Sequence, residues 1–278
     1  MTAGVFFAVL LAALLHAGWN AWVKGREDRF ASILTLSVGQ SLLAGLALFF
    51  VGLPPAHALP WVLGSAALHC GYKIFLINAY ERGDLSQVYP LARGTAPLIV
   101  AIAGVLFLGE VPPPVRLAAV AAIGAGILLM ARGGREGRLG RAGLLLSLAT
   151  AAFTASYTVV DGLGARLAGG ASAFLLSAIA LDGVLMLSYG RIARGPLPLE
   201  AMRSGWMQGL AAGGVSAGAY WIVVWAFTQA PLALVAALRE TSVLFAMLIA
   251  ALFLRERIGR WRWAAAALIT SGVVLMRV

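Results

Sequence analysis

The sequence is poor in charge. Only 12% of its 278 residues are Asp, Glu, Lys or Arg, against about 25% in an ordinary soluble domain. It holds one cysteine, Cys70, which excludes a disulfide framework and a cysteine-based metal site. It has no HExxH, no Asp-rich motif and nothing like a nucleotide-binding P-loop. Zincin-type hydrolysis and direct ATP coupling therefore have no sequence basis. His16 and His69 lack a third ligand at metal spacing, so neither a metal nor a cofactor is expected. Acidic residues are scarce as well, 11 against 21 basic ones.

What remains is apolar. Hydrophobic residues make up 61% of the chain and the mean hydropathy is +0.91. A soluble fold of this length cannot hide so much apolar surface, and disordered chains are poor in it. The apolar residues come in continuous runs, which excludes the alternating strands of a membrane β-barrel. The fold class is therefore all-α integral membrane, with the lipid bilayer as partner. Runs at about 3–23, 30–52, 59–80, 85–108, 115–131, 142–160, 172–190, 206–227, 232–254 and 263–276 read as ten transmembrane helices. Gly, Pro and charged residues punctuate them. The N-terminal run has no basic region ahead of it, so it is expected to be a first span and not a cleaved signal. A net charge of +10 would suggest nucleic acid in a soluble protein. Here the basic residues lie in short loops, where they act as orientation signals, and no nucleic acid is expected.

The chain repeats itself. Residues 105–110 (VLFLGE) match 251–256 (ALFLRE), and 126–130 (GILLM) match 272–276 (GVVLM), at one offset of 146. The same offset pairs Arg93 with Arg239. Two five-span halves follow, 1–135 and 138–278. Five is odd, so the halves are expected to be inverted relative to each other. Loops after spans 1, 3, 5, 7 and 9 hold 15 Lys and Arg, whereas the other loops and Arg277 hold 3. The positive-inside rule places the richer loops in the cytoplasm and both termini outside, in a cell inner membrane. Inverted repeats are a device of secondary transporters with a site at the repeat interface.

These features resemble the drug/metabolite transporter superfamily, in its EamA-like branch. The resemblance rests on two five-span halves, each with [VA]LFL-x-E before a glycine-bearing last span, and it covers the whole chain. The run from Leu15 to Lys24 (LHAGWNAWVK) further resembles a subgroup associated with phosphonate use. The resemblance implies movement of a small metabolite without nucleotide hydrolysis, through a central cavity lined by spans 1, 3, 4, 6, 8 and 9.

Five ionisable residues lie deep in the runs: Lys73, Arg93, Asp182, Arg239 and Glu240, with a nominal sum of +1. Such residues face the bundle interior or a water-filled space. Arg93 and Arg239 sit roughly 12 Å into their spans, near the middle of a ~30 Å core. Two planar guanidiniums suit phosphate, phosphonate or carboxylate. The alternative is an internal ion pair, Arg93 with Glu240 or Arg239 with Asp182. Glu240 follows Arg239 directly, so on a helix their side chains point about 100° apart and are not expected to pair. Lys73 has no charged counterpart in span 8, where Tyr220 and Trp221 stand; that asymmetry points to substrate, beside Tyr72.

His16, Trp19 and Asn20 share one face of span 1, as Thr154, Tyr157 and Thr158 share one of span 6. Tyr89 shares a face with Arg93. The candidate substrate residues are thus Arg93, Arg239, Lys73, Tyr72, Tyr89, Trp19, Asn20, Tyr157, Tyr220 and Trp221. Glu240, His16, His69 and Asp182 are candidates for coupling to a proton or counter-substrate, or for ion pairing. Gly205, Gly209, Gly213 and Ala217 form a small-residue packing row on another face of span 8. The expected function is secondary transport of a small anionic or zwitterionic metabolite: an amino acid, a carboxylate or an organophosphonate. The alternatives are a lipophilic-cation exporter and, less favoured, an integral-membrane lipid enzyme. No oligomer is required.

Overall fold

In lipid every backbone N–H and C=O needs an internal partner, and a helix supplies all of them within one segment. The computed structural model describes residues 1–24, 28–82, 85–110, 112–130, 140–252 and 259–277; the side chains of 21–24, 85–87, 89, 108, 250 and 252 are not among those described. The regular structure of the described residues is helical. The first half supplies α1 (Ala3–Lys24), α2 (Arg29–Val51), α3 (Leu59–Arg82), α4 (Leu85–Leu108) and α5 (Pro114–Met130). The second supplies α6 (Arg141–Leu167), α7 (Ala171–Ala193), a short α8 (Leu199–Ser204), α9 (Trp206–Gln229), α10 (Leu232–Arg239), α11 (Ser242–Leu252) and α12 (Arg260–Leu275). Among the described residues eight segments are long and apolar enough to cross a membrane, and Pro114–Met130 is a shorter apolar helix. Phe49, Phe50, Phe107 and Ile192 are among the large apolar side chains facing outward, as lipid solvent allows.

Two expected spans differ. The sixth continues past 160 to Leu167, because the charged groups that seemed to end it, Asp161 and Arg166, both find partners within the bundle. The ninth is broken between Arg239 and Ser242. There the N–H groups of Glu240, Thr241, Val243 and Leu244 each reach the carbonyl three residues back, and Thr241 Oγ1 donates to Leu238 O at 2.7 Å. This tightened turn is a local 3₁₀ geometry inside a helix.

Glycines set how the helices meet. A Cβ at Gly126 would lie 2.6 Å from Ile269 Cγ1 and 3.0 Å from the Ala265 carbonyl. A Cβ at Gly272 would lie 2.7 Å from Ile123 Cγ1 and 2.8 Å from the Ala119 carbonyl. These are the same contacts with the halves exchanged, since each residue's partner is displaced by the repeat offset. They also make α5 and α12 antiparallel. On α7, Gly183 packs against Ser37 and Ser41 of α2, and Gly190 against Phe30 and Leu34, so that pair is antiparallel as well. Other contacts come in exchanged pairs: α3 on α6 with α9 on α1, and α2 on α9 with α7 on α3. Gly209 and Gly213 of the small-residue row seat Thr35, Leu36 and Gln40 of α2.

The helix ends sort into two faces. On one, Arg166 at the end of α6 reaches Glu110 after α4 at 3.0 Å and the carbonyls of Phe227 and Ala230 at 2.9 and 3.2 Å. Glu110 Oε2 accepts the N–H of Leu232 at the start of α10, at 2.8 Å. Gly109, at φ 63°, makes the turn that aims Glu110 there. His57, before α3, contacts Leu167 O on the same face. On the other face Arg194 after α7 pairs with Glu81 at the end of α3, at 2.8 Å.

The α5–α12 seam is directly testable. Gly272→Ala is expected to destabilise the protein by about 1–3 kcal/mol through overpacking. Gly45→Ala, with nothing within 4 Å of the new Cβ, is expected to be neutral. Thermal melts of both variants in detergent check this, and equal midpoints would contradict the seam.

Candidate functional site

Buried charge defines the centre of the bundle. Arg93 of α4, Arg239 of α10 and Glu240 in the break after it are all nearly inaccessible. Arg93 Nε lies 2.6 Å from Glu240 Oε2. Arg239 Nη2 and Nε lie 3.1 and 3.3 Å from Glu240 Oε1. One carboxylate thus holds two guanidiniums from equivalent helices of the two halves. The Arg93–Glu240 pair was one of the expected alternatives. The Arg239–Glu240 pair corrects the expectation that they point apart. That expectation assumed a continuous helix, and the break at Glu240 swings its side chain toward its neighbour.

Arg93 Nη2 is also 3.2 Å from His16 Nε2 on α1, while Trp19 Nε1 donates to His16 Nδ1 at 3.2 Å. A neutral imidazole accepts at one nitrogen only, so His16 satisfies one of these two donors. Asn20 Nδ2 donates to His16 O at 2.9 Å, bracing the same turn. The face of α1 read from sequence is therefore assembled against Arg93. Its expected counterpart on α6 is only partly so. Thr154 and Thr158 donate to carbonyls of their own helix, leaving Tyr157 as the side chain that reaches the site.

Tyr157 belongs to an aromatic group. His69 stacks on it with centroids 4.0 Å apart, and Tyr72 and Tyr220 meet it edge-on at 5.6 and 6.0 Å. The Arg239 guanidinium lies 5.9 Å from both the Tyr157 and the Tyr220 ring centroids, within cation–π range. Behind the rings sits Asp161, fully buried. Its Oδ2 accepts from Tyr220 Oη at 2.5 Å and from His69 Nε2 at 2.8 Å. His16, Trp19, Asn20, His69, Tyr72 and Tyr220 are partly exposed. Polar side chains at this depth face an internal space and not lipid.

Sequence reading missed Asp161 because the span was ended one residue before it. The signal was present: Asp161 is four residues after Tyr157 and shares its face. Its inclusion changes the charge arithmetic. Lys73, Arg93 and Arg239 are balanced by Asp161, Asp182 and Glu240 among the described buried residues, so the nominal sum is zero and not +1. The excess of buried positive charge that favoured anions disappears.

The remaining candidates lie elsewhere. Lys73 Nζ pairs with Asp182 of α7 and donates to Ser37 of α2 at 2.7 Å. Asp182 is thus joined to Lys73, not to Arg239. Trp221, 40% exposed, donates to Ser172 Oγ at 3.0 Å on the outer side of α9, away from Tyr220. The side chain of Tyr89 lies outside the described residues. Gly214 to Gly218 matches GxSxG in sequence, but it sits inside continuous α9, without the strained strand-to-helix turn such a nucleophile needs.

Removing Glu240 leaves two buried guanidiniums without their carboxylate, whereas removing one arginine leaves Glu240 paired. Glu240→Gln is therefore expected to cost about 3–5 kcal/mol, and Arg93→Gln clearly less. Adding Arg93→Gln to Glu240→Gln is expected to recover part of the loss. Denaturation of the three variants checks the order, and a larger loss from Arg93→Gln alone would mean that Glu240 is not the shared counter-charge.

Comparisons with known proteins agree with this architecture. A solved crystal structure superposes with a TM-score of 0.78 over 100% of this chain and 99% of its own, at 17% identity; that likeness concerns the fold. A comparison with curated proteins gives no match. The model of the EamA-like transporter family matches residues 2–132 and again 141–278. The chain is a multi-pass membrane protein and belongs to the EamA-like transporter family.

Proposed function

We propose that the protein is a secondary transporter for a small metabolite carrying an anionic group, zwitterions included, and that it works by alternating access between two inverted halves. The observation that carries this reading is the meeting of Arg93 and Arg239 on one carboxylate at the bundle centre, beside partly exposed tyrosines. A guanidinium presents a planar fork that matches carboxylate, phosphate or phosphonate. An incoming anionic group would take over one arginine from Glu240 while the other keeps Glu240 paired.

Architecture supports the mechanism. Repeats 1–135 and 138–278 would cross the membrane five times each, with α5 and α12 as the shortest crossings. The antiparallel pairing of the equivalent helices α5 and α12, and of α2 and α7, suits halves of opposite orientation. Broken helices near the midplane are a feature of transporter binding sites, and the break at Glu240 falls beside the arginines. Glu110 and Arg166 pair across one face and would part in a state open on that side. Loop charge places that face outside, with both termini, and the arginine-rich face in the cytoplasm of an inner-membrane protein.

A second reading has its own observation. Asp161 within the rings of Tyr72, Tyr157, Tyr220 and His69 also suits a lipophilic cation. One experiment separates the two. Thermal stability is measured in detergent against L-glutamate, L-alanine, acetate, 2-aminoethylphosphonate and tetraphenylphosphonium. A ligand at a hundredfold its Kd stabilises the folded state by about 2.7 kcal/mol. Stabilisation by anions or zwitterions, lost in Arg239→Gln, supports the first reading. Stabilisation by tetraphenylphosphonium alone, lost in Asp161→Asn, replaces it with the second.

A further inference from the structure

Five of the six buried charged residues among those described pair with a partner of fixed opposite charge. Arg93 and Arg239 share Glu240, and Lys73 pairs with Asp182. Asp161 differs. Among the described residues its ion-pairing partner is His69, the one side chain type whose ordinary titration spans physiological pH. Its Oδ1, fully buried, has no hydrogen-bond partner among them.

The tautomer follows from the geometry. Asp161 Oδ2 is an acceptor, so the hydrogen between it and His69 lies on Nε2. Nδ1 is then the basic nitrogen of neutral His69. His69 is 18% exposed in its side chain while Asp161 is sealed, so the imidazole is the member that water reaches. Its surroundings are defined on every side: Tyr72 and Lys73 on its own helix, Lys73 being held by Asp182 of α7; Tyr157 and Asp161 on α6; Tyr220 on α9; Arg239 of α10 over the two tyrosine rings, with Arg93 of α4 behind Glu240.

We infer that His69, held by Asp161 and Tyr220, is the binding site for the proton that couples transport to a proton gradient. The inference rests on the transporter reading above. With neutral His69 the buried charges balance. A bound anionic group would leave the core one charge negative, and uncompensated charge in low dielectric is strongly disfavoured. One proton taken from water onto His69 Nδ1 restores the balance, and the imidazolium keeps its Nε2–H on Asp161. Tyr157 stacks on His69 and lies within cation–π range of Arg239, so the two events share one ring. Proton and anion therefore bind together, each favouring the other by the same factor.

The chain has three histidines, so imidazole signals of ¹⁵N-histidine-labelled protein in detergent can be assigned by substitution. Binding of 2-aminoethylphosphonate or L-glutamate is expected to convert one signal, absent in His69→Gln, from the neutral to the protonated form, and that conversion is expected to weaken in Asp161→Asn. Tyr220→Phe, which keeps the ring, is the milder variant should Asp161→Asn not fold. A His69 signal that stays neutral when either probe binds, or one indifferent to both variants, overturns the inference. Calorimetric titration with 2-aminoethylphosphonate and L-glutamate, in two buffers of different ionisation heat, reads proton uptake. Uptake of up to about one proton per anion, abolished in His69→Gln, supports coupling; unchanged uptake in that variant overturns it. If neither probe binds, the ligand reading fails, whereas a His69 tautomer unchanged in Asp161→Asn overturns the inference on its own.

Discussion

One carboxylate organises the protein. Glu240 is the only acid in reach of both Arg93 and Arg239 among the described ion pairs, and it joins α4 of one half to α10 of the other. In a bilayer-spanning bundle no water compensates a buried charge, so each such group must find its opposite inside the protein. That constraint dictates the arrangement around it. Arg239 leans on two tyrosine rings, Arg93 on the α1 imidazole, and the remaining charges separate into Lys73 with Asp182 and Asp161 with His69. Among the described residues the site is a balanced set of charges.

Glycine permits this charge set to come together. The α5–α12 crossing and the α2–α7 crossing bring backbones to van der Waals distance, closer than any side chain would allow. Both crossings lie between equivalent helices, so they define the exchange relation between the halves. The charged residues then inherit that relation: Arg93 and Arg239 converge because their helices are exchanged by the same contacts that seat Gly126 and Gly272.

Much of the fold was readable from hydropathy and the offset of 146, because lipid demands long apolar runs and a repeat preserves spacing. Arg93 and Arg239 were legible as a pair for that reason. Glu240's double pairing was not, since the break between α10 and α11 is made by backbone turns that no Pro or Gly marks. Asp161 escaped because hydropathy ends a span at a charge, whereas the bundle supplies His69 and Tyr220 to keep the helix going. Trp221 illustrates the limit of adjacency. It follows Tyr220 directly, yet one residue of helical rotation carries it to Ser172 on the outside.

The departures from symmetry are as informative as the symmetry. Where α4 runs unbroken through Arg93, the equivalent stretch of the second half breaks after Arg239 and inserts the carboxylate. Where α3 carries Lys73, the matching region of α9 carries Tyr220, and each takes a different acid. A symmetric scaffold would repeat its charges and place like against like across the exchange. By breaking the repeat at Glu240, Lys73 and Asp161, the chain balances the buried charges of its described residues at zero while leaving both arginines next to partly exposed aromatic side chains. The two halves thus agree on where the helices go and divide the charges between them.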